Sequence, residues 1–244
     1  MASLYLDEGA ELQARGVGDV VRLGGQEARH ALQVARVRVG ERIAIGDGRG
    51  TIVTGPVIES GQGELAIEVV EVDHEPPTTP ALVLVQALAK GDRDELAVQA
   101  ATELGVDRIV PWAAARSVSR WEGPKADKGR QRWATIAREA SKQSIRARVP
   151  EVTAATPTAR LPELLADTRL LVLEPSAERG LAQLELDERP LALLVGPEGG
   201  IAPEELARLA AAGAEPVRLG RTVLRTSTAG PAAIALLSAR LGRW

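Results

Sequence analysis

The stretch LLVGPEGGIAPEE, residues 193–205, runs from apolar residues into Gly-Pro-Glu-Gly-Gly and on to an acidic segment with Pro203 near its start. A buried strand, a glycine turn and a helix N-terminus in that order form the usual frame of a nucleotide-binding loop. The residues match neither GxGxxG nor the GxxxxGK loop that ends in Ser or Thr. Without the lysine of that second loop a triphosphate is disfavoured, and the expected ligand is one held largely by backbone groups. The same strand–turn–helix order decides the fold class, because it recurs on both sides of this stretch.

From residue 81 onward the rhythm is α/β. ALVLVQAL reads as a fully buried strand, and GDRDELAVQAATELGV as a helix with acidic residues in its first turn and Gly105 after its last. RIVPW is the next strand, and KGRQRWATIAREASKQSIRAR reads as one long helix. RLLVLE (169–174) and LALLVG (191–196) are two more apolar strands. APEELARLAAAG is a helix with Pro203 near its first position and Gly213 just past its end. PVRLG is a strand, and AGPAAIALLSARL closes the chain as a helix, with Pro231 taken as its starting proline. Continuous apolar strands alternating with helices predict a mostly parallel sheet covered on both faces.

The first 75 residues read differently. ERIAIGDGRGTIVTGPVIES and GELAIEVVEV carry β-branched alternation, and GDGRG between short strands is a hairpin signal. EARHALQVARVRVGE is expected to form a short helix leading into a basic strand. DHEPPTTP, residues 73–80, reads as a linker between domains. The expected organisation is a β-rich domain over 1–75 and an α/β domain over 76–244.

The chain of 244 residues has no cysteine, which excludes disulfides, thiolate metal sites and cysteine nucleophiles. Its two histidines, His30 and His74, are far apart, so no metal site is expected. The opening MASLYLDEGAELQARG lacks the basic flank and apolar core of a signal peptide. No apolar stretch approaches the roughly 18–20 residues that span a bilayer. A soluble, cytoplasmic protein with no membrane partner is expected.

The net charge is −3, but the charges are unevenly placed. Residues 1–75 hold seven Lys and Arg against thirteen Asp and Glu, whereas residues 108–148 hold eleven against three (Glu122, Asp127 and Glu139). A basic block inside an acidic chain fits a polyanion footprint, and charge alone leaves an ordinary solvated face equally open.

Three stretches fall at the carboxyl ends of expected strands, where ligands collect in open α/β sheets: LEPSAE (173–178), VGPEGG (195–200) and LGRTVLRTSTAG (219–230). One glycine loop before a helix is more often a tight connection. Three such loops at neighbouring strand ends favour a binding crevice. On the long helix, Arg132, Glu139, Gln143 and Arg146 fall on one side and Trp133, Ile136, Ala137 and Ala140 on the other. The polar side is read either as a solvated face with i,i+4 pairs or as a reader of a nucleobase edge and its phosphate.

These stretches resemble the SPOUT RNA methyltransferases, and more closely the ribosomal RNA small subunit methyltransferase E family. The resemblance is carried by HALQVARVRVGERIAIGDGRG, KGDRDELAVQAATELGVDRIVPWAAARSV, RWATIAREASKQSIRARVPEV, LLVGPEGGI and LGRTVLRTSTA, in that order. It implies a PUA-like β-barrel for residues 1–75 and an α/β trefoil-knot methyltransferase domain for 76–244. It implies S-adenosyl-L-methionine as cofactor, held by Leu173, Glu174, Gly196, Pro197, Glu198, Gly199, Gly200, Leu219, Gly220, Val223 and Leu224. It also implies 16S rRNA of the small ribosomal subunit as substrate, methylated at N3 of a specific uridine, and a homodimer paired through the knotted domain. Ile234, Leu237 and Leu241, with Ala233 and Leu236 alongside, form the helical stripe expected to support that pairing. The family pattern often places glutamate after Leu-Arg-Thr; here Ser227 stands there and receives no catalytic role.

Transfer to N3 requires an unpaired or flipped uracil, a sink for the N3 proton and stabilisation of charge on O2 and O4. Arg146 and Arg225 are assigned the charge stabilisation, and Glu139 and Gln143 the placement of the uracil edge. Glu139 is also the available general base. The alternatives are a SPOUT enzyme of 2′-O-ribose specificity and a non-catalytic RNA-binding assembly factor. The intact glycines of 195–200 and the Leu219-Gly220 pair argue against the second.

Overall fold

Period-two alternation between Arg42 and Glu68 becomes antiparallel sheet, and the apolar runs after residue 80 become parallel sheet. The computed structural model describes residues 3–244. They divide into one unit of the residues up to Pro77 together with Ser141–Val149, and a second of Thr78–Ala140 together with Pro150–Trp244.

The first unit contains β1 (Leu4–Leu6), β2 (Val20–Leu23), α1 (Gly25–Arg29) running on into a π turn over His30–Val34, β3 (Arg42–Gly46), β4 (Thr51–Gly61), β5 (Glu64–Glu68) and β6 (Glu71–His74). The strand order is β1-β3-β4-β5-β2, with β6 also on β4. β4 pairs with β3 and β6 through its first half and with β5 through its second, with a register shift between Val57 and Glu59. At the change of partner, a Cβ on Gly55 would lie 1.8 Å from the carbonyl oxygen of Glu68, so only glycine fits. The enclosed core includes Tyr5, Leu23, Ile45, Val53, Leu65 and Ile67.

The GDGRG hairpin forms as expected. The fully buried Asp47 carboxylate accepts the amides of Arg49 at 2.7 Å and Thr51 at 3.0 Å and closes the turn. The basic strand expected after the short helix does not form. Arg36 takes a left-handed φ of 56° and Gly40 one of 91°, and Val34 and Val39 are exposed while Val37 alone packs on the core, so the stretch is irregular.

Backbone bonds bring residues 141–149 into this unit: Gly50 donates to Ala147 and Val149 to Gly48, each at 3.0 Å. Lys142 and Glu27 form an ion pair at 3.0 Å with both side chains about nine-tenths buried.

The second unit contains β7 (Leu82–Ala87), α2 (Arg93–Glu103), β8 (Arg108–Ala113), the long α3 (Pro124–Gln143), whose last turn belongs to the first unit, β9 (Glu151–Val152), β10 (Thr156–Pro157), α4 (Leu161–Leu164), β11 (Arg169–Leu173), β12 (Leu191–Val195), α5 (Pro203–Ala211), β13 (Glu215–Val217) and α6 (Thr226–Arg240). All pairings are parallel, in the order β10-β8-β7-β12-β11-β13 with β9 also on β8. Alternate residues of β7 serve opposite faces: Leu82 and Leu84 join one core with Trp133 and Ile234, Val83 and Val85 the other with Trp112 and Leu209. Burial on both faces explains why these strands are apolar without a break.

Helix signals hold at both ends of α5, with Pro203 at its start and Gly213 at φ 87° beyond its end. Two helix boundaries differ from the sequence reading. α6 begins at Thr226, so Pro231 is interior and does not start it. Gly230 explains the pair: a Cβ there would lie 2.8 Å from Leu84, so the helix packs flush on the sheet at that point.

α3 ends at Gln143, which leaves Arg146 beyond the helix face assigned to it. The amide of Arg146 bonds to Ser141 and that of Ile145 to Lys142, a Schellman stop in which Ile145 holds the left-handed position at φ 55°. A β-branched residue in this position is rare, which is why propensity extends the helix too far.

Ala233, Ile234 and Leu237 have no exposed surface, and Leu236 and Leu241 pack against the same core. The stripe expected to support pairing is used by its own unit. Among the described residues, no helix is long and apolar enough to cross a membrane.

Candidate active site

β12, β11 and β13 are neighbours in the sheet, and their carboxyl ends open into a cavity of about 440 Å³. Small-molecule sites span roughly 300–1,000 Å³. The walls come from 173–175 at the end of β11, 195–201 except Gly199 at the end of β12, 218–226 except Arg221 after β13, Arg93 of α2 and Ala229 of α6.

The glycine segment is pinned one residue at a time by different elements. Thr226 Oγ1 donates to the Gly196 carbonyl at 2.9 Å. Glu198 Oε1 accepts the Lys90 amide at 3.1 Å and Arg93 at 2.8 Å. Arg116 donates to the Gly199 carbonyl at 3.2 Å, and the Gly200 amide closes the turn on Pro197 at 2.9 Å. Gly200 sits at φ 72°, where a side chain is strained.

Burial pushes the Glu198 carboxyl up. Its own and the Lys90 amide, with the Arg93 guanidinium, outweigh this and hold it below the usual carboxylate value. A second carboxylate, Glu174, accepts the amide of Ser176 at 3.2 Å and its hydroxyl at 2.9 Å. Backbone groups with two carboxylates and three arginines, Arg93, Arg218 and Arg225, suit a ligand with polar edges and charges of both signs.

All the residues assigned to the cofactor line this cavity except Gly199, which faces Arg116 instead, where a Cβ would lie 3.5 Å from the Arg116 Cβ. Arg225 lines it as well. Glu139, Gln143 and Arg146 do not. Glu139 lies on α3 in the second unit and pairs with Arg138 at 3.0 Å. Gln143 and Arg146 belong to the segment grouped with the first unit. The packing side of α3 is as expected, with Trp133, Ala137 and Ala140 buried, and Arg132 pairs with Glu95 of α2. Sequence reasoning missed Arg93 and Thr226 as wall residues. It also missed Gln86 behind them, the one polar residue in the buried strand 82–87, which is a legible signal.

The parallel α/β unit, with its backbone-lined cavity at three strand ends, and the smaller, mostly antiparallel unit each coincide with a stretch of the chain that matches a family model. Residues 75–238 match an RNA methyltransferase domain and residues 23–70 an RNA methyltransferase PUA domain. The protein is 42% identical over 233 residues to the ribosomal RNA small subunit methyltransferase E of Mycobacterium bovis, covering 93% of this chain and 89% of that one. It is 31% identical to the Bacillus subtilis protein of the same name, covering 88% of each. The crystal structure of the Neisseria gonorrhoeae ribosomal RNA small subunit methyltransferase E bound to S-adenosyl methionine superposes with a TM-score of 0.87 at 28% identity, covering 98% of each chain. The chain belongs to the ribosomal RNA small subunit methyltransferase E family.

Proposed function

We propose that this protein transfers a methyl group from S-adenosyl-L-methionine to N3 of a specific uridine in 16S rRNA of the small ribosomal subunit, in the cytoplasm. The observation that carries the reading is the cavity at the ends of β11, β12 and β13, walled by backbone and lined by Glu174 and Glu198. Carboxylates beside Arg93, Arg218 and Arg225 suit a ligand that carries charges of both signs, and the cofactor supplies an electrophilic methyl group on a sulfonium. Gly196, Pro197, Gly200, Leu219, Gly220 and Leu224 would hold it through backbone and apolar contacts.

Transfer leaves the uracil without its N3 proton, so the protein must take the proton and stabilise charge on O2 and O4. Arg225 is assigned that stabilisation; in support, it lines the cavity, and its guanidinium has no hydrogen bond among the described residues. Glu139 and Gln143 are assigned the uracil edge, Glu139 the proton, and Arg146 further charge stabilisation. The basic excess of 108–148 fits an RNA substrate. We also propose a homodimer in which the Glu139–Arg146 stretch of one protomer completes the cavity of its partner. Exposed Val223 and Leu224 on the cavity wall are consistent with a covering surface.

The test is methylation of small subunits from a strain lacking its own enzyme, with the nucleoside identified by mass spectrometry. 3-Methyluridine is expected; a 2′-O-methylated nucleoside or no product overturns the reading. Mixing Arg146→Ala with Gly200→Val protein should restore partial activity if sites are shared between protomers.

A further inference from the structure

β7 is apolar and buried on both faces except for Gln86, which has no exposed surface. Its Nε2 donates to Thr226 Oγ1 at 2.9 Å and to the Ala87 carbonyl at 3.1 Å. Thr226 Oγ1 in turn donates to the Gly196 carbonyl at 2.9 Å. The direction of this relay is fixed. Exchanging the amide's oxygen and nitrogen would set Oε1 against the Ala87 carbonyl, and the Thr226 hydroxyl has a single proton, which the Gly196 carbonyl takes.

The fold alone gives no reason for an amide here. Gln86 Oε1 is buried without a hydrogen-bond partner among the described residues, a cost that an apolar residue would avoid. What the amide provides is a link between elements far apart in the chain. Thr226 opens α6 directly after the 218–225 wall, and Gly196 opens the glycine segment after β12. Both residues line the cavity; Gln86 does not.

We propose that Gln86 is a positioning residue for cofactor binding. It orients the Thr226 hydroxyl, and that hydroxyl fixes the Gly196 carbonyl, so the start of the glycine segment and the end of the 218–226 wall are held together. This rests on the cavity being the S-adenosyl-L-methionine site. Gln86 lines no cavity surface, and its side chain reaches the walls by its bond to Thr226, so the side chain's effect on affinity is expected to pass through Thr226. Double-mutant coupling in affinity detects that dependence; because residues in contact also couple in stability, affinity that does not follow melting temperature distinguishes positioning from a merely structural role.

The experiment is a cycle of Gln86→Met, Thr226→Val and the double variant in the full-length protein, read by calorimetric S-adenosyl-L-methionine affinity and by melting temperature. Thr226→Val is expected to weaken binding about tenfold, and Gln86→Met about fivefold in the wild-type background but less than twofold beside Thr226→Val. Thr226→Ser, which keeps the hydroxyl, should stay within about threefold of wild type. The double variant should regain melting temperature lost by Thr226→Val, since Gln86 no longer buries an unpaired donor, without regaining affinity. Additive losses, or an affinity that recovers with melting temperature, would overturn the proposal. If Thr226→Val does not fold, Gln86→Met and Thr226→Ser decide alone: wild-type affinity in Gln86→Met overturns it. Failure of the wild-type protein to bind the cofactor would overturn the functional reading instead.

Discussion

Two stretches wall the same cavity and are held in opposite ways. Residues 195–201 are fastened through Gly196, Glu198, Gly199 and Gly200 to α6, α2, the segment after β8 and their own turn. Residues 219–224 make no hydrogen bond among the described residues, and Val223 is 76% exposed. The first wall is organised before any ligand arrives. The second has no such fastening, so a ligand is expected to order it, at a cost of roughly 0.5–1.5 kcal/mol for each side chain immobilised. On the proposed function, the first wall sets affinity and the second closes the site and carries chemistry.

The largest effect is expected at the end of the loosely held wall. Arg225→Ala should lower the single-turnover methylation rate by roughly 100-fold or more, the usual loss on removing a group that stabilises developing charge. Calorimetric cofactor affinity should stay within about threefold. An equal loss of affinity would make this wall a binding element and erase the contrast.

The pinned wall should behave in reverse. Gly200→Val forces a side chain into a left-handed conformation beside the ligand and is expected to weaken cofactor binding about tenfold or more. Gly199→Ala should bind normally, since its Cβ meets Arg116 at ordinary contact distance and Gly199 does not line the cavity.

A smaller effect follows from Glu198. Its carboxyl is held below its ordinary value of 4.5 in the folded protein, so its contribution is fully present above that pH. The contribution is lost as pH falls through the lower folded value. Cofactor affinity measured by titration calorimetry should decline over that acidic window. In Glu198→Gln the affinity should already be a few-fold weaker at neutral pH and flat across the same range. A wild-type affinity that does not change on acidification would detach Glu198 from the pinning.

The smallest change is expected away from both walls. Ile145→Gly relieves a left-handed β-branched residue and should raise unfolding stability by roughly 0.5–1 kcal/mol in urea titration. Unchanged or lowered stability would show that this helix stop is not strained.

The contrast between the walls was partly legible in the sequence. Apolar runs identify β7, β8, β11 and β12, and glycine and proline identify the ends of α5, because those signals are local. The glycine segment announces a ligand site for the same reason. Which glycine faces the ligand depends on the turn, so Gly199 and Gly200 could not be told apart. Pro231 reads as a helix start by rule, whereas the start is set by Thr226 reaching Gln86 and Gly196. Arg146 leaves the helical face because Ile145 adopts a conformation its residue type disfavours. The attachment of 141–149 to the first unit uses backbone bonds to Gly48 and Gly50, which no residue pattern encodes. The knot implied by the family is likewise a matter of threading, invisible to periodicity.

Hydrogen exchange of the full-length protein with and without S-adenosyl-L-methionine tests the central claim most directly. Amides of 219–224 should exchange rapidly in the free protein and gain strong protection with cofactor, while the Gly200 amide, bonded to the Pro197 carbonyl, should be protected in both states and change little. Protection appearing only outside these two stretches, or none at a cofactor concentration where calorimetry detects binding, would contradict the assignment of this cavity.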